Sequence, residues 1–134
     1  MSIILGIDYG DKRVGLALSD PEERLARRLL TLQNSAEVIR DLKSIIADNG
    51  VEKIVVGLPL GFNGASQQTE KVREFIARLR EEIGLPIEEM NEILTSKMAQ
   101  DNLIGSGVKD IKEVLDQEAA RIILQDYMDF RKRS

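Results

Sequence analysis

Ile3-Ile4-Leu5-Gly6-Ile7-Asp8-Tyr9-Gly10-Asp11-Lys12-Arg13-Val14-Gly15-Leu16-Ala17-Leu18-Ser19 is the stretch on which the fold turns. Residues 3–8 are an apolar run that ends in an acid, the pattern of a buried strand. Tyr9-Gly10-Asp11-Lys12 has the chemistry of a turn. Residues 13–19 alternate, with Val14, Leu16 and Leu18 on one face, which predicts a second strand hairpinned to the first.

Outward from this hairpin, residues 27–32 predict a third strand. Val38, Leu42, Ile45 and Ile46 stand at helical spacing in 35–49, where Asn34 or Ser35 would cap the start and Asn49-Gly50 the end. Residues 53–57 are β-branched and predict an interior strand, followed by a Gly/Pro-rich loop from Gly57 to Gly64. Val72, Phe75, Ile76, Leu79 and Ile83 predict a helix over 66–83, and residues 86–91 an edge strand. Two more helices are expected, over 95–104 and from Asp110 to about residue 130. The order β-β-β-α-β-α-β-α-α predicts an α/β fold: a mixed five-stranded sheet, its first three strands antiparallel, with helices packed on its faces. No repeat or linker breaks the 134 residues, so the chain reads as one domain over 1–134.

The composition excludes several chemistries. There is no cysteine and no histidine, hence no disulfide frame, no thiolate nucleophile, no imidazole base and no Cys- or His-ligated metal. Catalysis would rest on carboxylates, lysines, hydroxyls, backbone groups or a metal on hard oxygen ligands, for which magnesium or manganese is suited. The net charge of −4 argues against broad non-specific nucleic-acid binding, yet Arg24, Arg27 and Arg28, and Arg131 to Arg133, are local basic clusters. No apolar run is long enough to span a bilayer and the N-terminus does not read as a signal peptide, so a cytoplasmic location is expected.

Three carboxylates stand out by position. Asp8 closes the first strand, and open α/β sheets bind ligands at the carboxyl ends of their strands. Glu92 follows the last strand candidate in the same way. Asp116 shares a helix face with Ala119, Ala120 and Ile123, at the edge of an apolar stripe. Each has an ordinary alternative: a turn-forming Asp, an exposed loop acid, and an ion-paired edge residue, respectively. Together, three such carboxylates suit one or two divalent ions in phosphoryl transfer. Gly57, Pro59 and Gly64 belong to a loop whose backbone would approach a phosphate, and Lys12 and Arg13 would neutralise one.

Four segments together resemble the YqgF (RuvX) family: residues 6–20 (GIDYGDKRVGLALSD), Val55 to Leu60, Glu92 to Ser96, and Asp116 to Gln125. They span nearly the whole chain in the family's order. The resemblance implies an RNase H-like fold similar to that of the Holliday-junction resolvase RuvC. It implies a metal-dependent hydrolase acting on nucleic acid, as a nuclease at the 5′ end of pre-16S rRNA or as a junction resolvase, monomeric or homodimeric. It assigns Asp8, Glu92 and Asp116 to the acidic metal-binding positions. Asn91 and Ile93 depart from the family's Asp-Glu-Arg pattern around Glu92, which leaves a catalytically weak nucleic-acid or ribosome-assembly binding module as an alternative. An ATP-binding domain is a further reading of Asp8-Tyr9-Gly10 with Gly15, but such proteins clamp nucleotide between two domains.

Overall fold

The structure, a computed structural model, describes residues 2–60, 66–92 and 111–132, with side chains of the last segment described from residue 114. Its elements are β1 (Ile3–Tyr9), β2 (Arg13–Ser19), β3 (Ala26–Gln33), α1 (Val38–Asn49), β4 (Val51–Pro59), α2 (Gln67–Glu82), β5 (Ile87–Glu92) and α3 (Ile111–Lys132). The helix expected over 95–104 and the Asp110 cap lie outside the described residues. No helix among the described residues is long and apolar enough to cross a membrane.

The five strands form one sheet in the order β3-β2-β1-β4-β5. β1, β2 and β3 are antiparallel, while β4 and β5 run parallel to β1. The mixed sheet follows from connection length: a short turn can only return antiparallel, whereas α1 and α2 are crossovers that restore the direction of β1. β1 is central, and its alternation divides the molecule. Leu5 and Ile7 join Leu16, Val56, Leu42, Phe75 and Leu79 under α1 and α2. Ile4 joins Ala17, Val55, Ala120, Ile123 and Leu124 under α3. Burial of both faces is why the Ile3–Asp8 run is apolar without polar alternation.

α3 lies close to the sheet because glycines make room for it. A Cβ on Gly6 would stand 2.8 Å from the Leu124 Cβ and 3.0 Å from the Ala120 carbonyl oxygen. At Gly15 a Cβ would overlap the backbone carbonyl of Asp116, and at Gly57 the side chain of Ile123. Gly57 and Pro59 are therefore not loop residues. β4 runs on to Pro59, and Gly57 is buried beneath Ile123. The sequence pattern ends this strand early because glycine and proline weigh as breakers. Here glycine answers to helix packing, and proline stands at the strand's last position.

Two helix starts differ in kind. α1 begins at Val38 behind Glu37, which makes no side-chain cap, and not at Asn34 or Ser35. Ser35 instead forms a preceding turn, accepting from the Glu37 N–H at 3.2 Å. Asn34 is spent elsewhere: its Nδ2 donates to the Gly10 carbonyl at 2.8 Å and its N–H to the Lys12 carbonyl at 2.9 Å, bracing the β1–β2 turn. α1 ends as expected, with Gly50 at φ 64°. α2 has a full capping box between Ser66 and Thr69, and the buried Thr69 hydroxyl also donates to the Pro59 carbonyl, tying the helix to the end of β4. Thr69→Val keeps the shape and removes the hydroxyl's bonds to the Ser66 N–H and the Pro59 carbonyl. We expect it to cost about 2 kcal/mol, seen as a lower urea midpoint at unchanged slope.

Candidate active site

The register of the hairpin pairs Asp8 with Gly15. Because Gly15 has no side chain, α3 settles directly on it with Asp116 at the contact. Two acids distant in sequence are thereby placed beside one another over the carboxyl end of β1. Asp8 alternates with Ile4 and Gly6 and so faces α3. Burial, and secondly the charge of Asp116, push the Asp8 carboxyl up to about 7. A carboxylate so placed binds a proton, or a cation, far more readily than one in water.

Arg13 completes this group. Its Nε donates to Asp116 Oδ2 at 2.7 Å, with both side chains mostly covered. Arg13 was expected to face substrate phosphate; its guanidinium is held by Asp116 through Nε. Lys12 is exposed on the turn. Gly64 lies outside the described residues.

Glu92 ends β5, paired with Pro59 of β4, two strands from β1. Neighbouring strands lie about 4.8 Å apart, so roughly 10 Å separates the β1 and β5 axes. Glu92 faces α3, as do Met90 and Glu88 before it: Met90 packs in the core under α3, and Glu88 is bonded to Tyr127 and to Lys53, the latter at 2.8 Å. The neighbour of Glu92 is Asp126. Burial, then the charge of Asp129, raise the Asp126 carboxyl above its ordinary range, while the approach of Glu92 draws it down. Among the described residues no three acids converge on one point. The structure thus joins Asp8 to Asp116 and holds Glu92, on the same face, with Asp126.

Asp126 was missed in the sequence, although the argument that picked Asp116 applies to it. It stands three and four residues beyond Ile123 and Ile122, at the edge of the same stripe. Asn91 alternates to the face opposite Glu92 and is exposed, so this departure from the family pattern lies away from the Asp8–Asp116 pair. Ile93 lies outside the described residues.

The donor set is hard oxygen throughout, and two carboxylates converge where one is already poorly hydrated. That environment fits magnesium or manganese and does not fit softer metals.

An antiparallel three-stranded meander joined to two parallel strands, with carboxylates under one long helix, defines the RuvC-like class of RNase H folds. Thermus thermophilus RuvC, solved with a Holliday-junction substrate, matches over 98% of this chain and 96% of its own with a TM-score of 0.58. The fowlpox virus Holliday junction resolvase matches over 96% and 99% with a TM-score of 0.60. At 15% and 13% identity these likenesses concern the fold. The chain belongs to the RuvX family, described as Holliday junction resolvase, whose model matches residues 2–130. Among curated relatives, a Chloroflexus aggregans protein is 41% identical over 134 residues, covering 96% of this chain and 94% of that protein. One from Caldanaerobacter subterraneus is 39% identical over 138 residues, covering 98% and 99%. Both carry the name "Putative pre-16S rRNA nuclease".

Proposed function

We propose that this chain is a magnesium- or manganese-dependent endonuclease acting on precursor 16S rRNA, with Asp8 and Asp116 at the core of its site and Glu92 as the third ligand. The observation that carries the proposal is the meeting of Asp8 with Asp116 over Gly15 at the carboxyl end of β1. Relatives at about 40% identity bear the corresponding name, which supports the RNA substrate.

Asp8 and Asp116 would hold the ion; it supplies Lewis-acid stabilisation of the charge that develops in phosphoryl transfer. The chain's own residues set the conditions. Asp8 must release its proton before it can act as a ligand, which makes the site sensitive to pH near neutrality. Arg13 fixes the Asp116 carboxylate through Oδ2 and partly neutralises it. Gly15 keeps both acids at the same strand end by admitting the helix backbone.

Purified protein incubated with Mg2+ or Mn2+ on labelled precursor rRNA, single-stranded DNA and a four-way junction tests the proposal. Metal-dependent cutting of the precursor is the expected result; cutting of none of the three overturns it. A second reading, junction resolution, is favoured by the family description and by the fold likeness to two resolvases. Preference for the junction over the precursor would select it.

Arg13 competes with any cation for Asp116. Arg13→Gln is therefore expected to tighten Mn2+ binding in calorimetry by roughly five- to tenfold, the equivalent of about 1 kcal/mol. The same substitution is expected to lower the melting temperature of the metal-free protein by a few degrees.

A further inference from the structure

Glu118 is a buried carboxylate, 5% exposed, on the helix that also carries Asp116 and Asp126. It accepts from Arg121 Nε at 2.8 Å and Arg121 Nη2 at 2.6 Å, a bidentate pair. Arg28 of β3 approaches the same carboxylate, its Nε 3.9 Å from Oε1. One guanidinium suffices to neutralise one carboxylate, and Arg121 already does so with ideal geometry. Burial of Glu118 does not account for the second.

Arg28 is present on this face only because of a defect in the strand. β3 pairs Gln33 with Arg13, Thr31 with Gly15 and Leu30 with Leu16, then shifts so that Arg28 opposes Ala17. In unbroken alternation Arg28 would share the face of Leu30 and Leu32, which pack towards α1 and α2. The bulge turns it to the α3 face, beside Glu118, and bulges commonly re-aim side chains near active sites. Gln125 then fixes the strand to the helix: its Oε1 accepts from the Ala26 N–H at 2.8 Å, and its Nε2 donates to the Arg24 carbonyl at 2.9 Å. Both arginines keep about a third of their side-chain surface in solvent. The bonds of Arg121 to Glu118 use Nε and Nη2 and leave Nη1 out.

The cluster lies next to the acid pair. Along α3, Arg121 is five residues beyond Asp116, about 7.5 Å of rise. Along β2, Ala17 opposite Arg28 is two residues from Gly15, the partner of Asp8. Two ordered guanidiniums share one buried carboxylate beside a site for phosphoryl transfer; Asp126 also acts on Arg121, but burial and Asp129 raise its carboxyl and so weaken it as a counter-charge. Guanidiniums are the groups that bind phosphate bidentately, and contacts of this kind set the register of a nucleic acid on a protein.

We infer that Arg28 and Arg121, positioned by Glu118, form a binding track for the phosphodiester backbone of the nucleic acid on which the Asp8–Asp116 pair acts; this rests on the nuclease reading above. The track explains how a chain of net charge −4 holds a polyanion: not by general attraction but by a local, pre-set pair.

The test is fluorescence anisotropy of the full chain on labelled duplex RNA and duplex DNA of one sequence, in EDTA, over a salt series. For duplex DNA, Arg28→Gln and Arg121→Gln are each expected to reduce the slope of log Kd against log salt by about 0.9, and the double variant by about twice that. Arg28→Lys keeps the slope. Arg78→Gln on α2 leaves it unchanged. Glu118→Gln discriminates most sharply, since it makes the chain less negative. General electrostatics predicts tighter binding; positioning predicts binding weakened several-fold at about 100 mM salt. Circular dichroism reports folding, and Arg28→Gln leaves the Arg121–Glu118 pair intact should the position 121 variant fail to fold.

Slope losses on either duplex support the track, and the duplex bound more tightly identifies the preferred backbone. Unchanged slopes with a lowered melting temperature overturn it, leaving a structural ion cluster, and so does tighter binding by Glu118→Gln. The nuclease reading is scored apart, by cutting of the same substrates with Mn2+. Wild type that cuts while the slopes stay unchanged sinks the track alone. Slope losses in a protein that never cuts sink the nuclease reading and leave the track standing.

Discussion

Asp8→Asn is expected to abolish metal-dependent cutting and, at the same time, to make the metal-free protein more stable. Loss of groups that merely support a metal ligand costs roughly 10- to 100-fold, so loss of a ligand carboxylate is expected to exceed about 100-fold. The stability gain follows from the proton. The Asp8 carboxyl is raised from 3.8 to about 7 in the folded chain. Between these values the unfolded chain has given up its proton while the folded chain retains it, so native stability falls as pH rises through that window. Below about pH 4 there is no penalty, and above about pH 7 it is complete, on the order of 4 kcal/mol. The neutral amide of the Asp8→Asn variant carries no such penalty. Urea denaturation in EDTA at about pH 4, 6 and 8 is expected to show a variant advantage that opens with rising pH. Equal stabilities at the highest pH would remove the desolvated Asp8 from the account. Mn2+ is expected to raise the melting temperature of wild type and not of the variant.

Gly15→Ala should be the most damaging glycine-to-alanine change among the described residues. The added Cβ would overlap the Asp116 carbonyl, and neither side can yield. Gly15 is held by pairing to Asp8 and to Thr31, and Asp116 by its helix. Overpacking of a core costs about 1–3 kcal/mol where side chains can shift. With backbone against backbone the cost lies at or beyond the upper end, and relief requires lifting α3 from the sheet. We expect a loss of about 3 kcal/mol or more by urea denaturation, with metal affinity lost even in the fraction that folds, because Asp116 moves away from Asp8. Gly57→Ala is the milder control, since it meets the flexible end of Ile123. An intact Mn2+ affinity in Gly15→Ala would show that the two acids do not depend on this contact.

Much of this was legible in the residues themselves. The apolar run to Asp8, the turn at Gly10 and the alternation from Val14 to Leu18 prescribe the hairpin because local pattern and tertiary burial agree there. Asp116 could be picked because an acid on an alanine-lined helix face wants a partner. Other features answered to contacts that no local pattern records. The bulge at Arg28 has no signature in Arg27-Arg28-Leu29-Leu30-Thr31-Leu32, which reads as plain alternation. Gly57 has the look of loop chemistry until Ile123 is found to fill the space above it. The spacing of Arg13 and Asp116 in sequence could not reveal that the arginine expected at a phosphate would be held by the acid.

α3 brings Asp116, Glu118 and Asp126 to a sheet surface made by much earlier parts of the chain. Arg13 and its partner Asp116 are 103 residues apart. Chains are synthesised from the N-terminus, so the α3 partners of Asp8 and Arg13 are made long after the hairpin that carries those two residues. The hairpin, its third strand and the crossovers can therefore collapse on the ribosome with Asp8 in place and nothing opposite it. Asp8 and Asp116 meet only when the last described helix emerges and docks. On the nuclease reading proposed above, the two acids would be kept apart for as long as the chain is still being made, and synthesis itself would hold the site open.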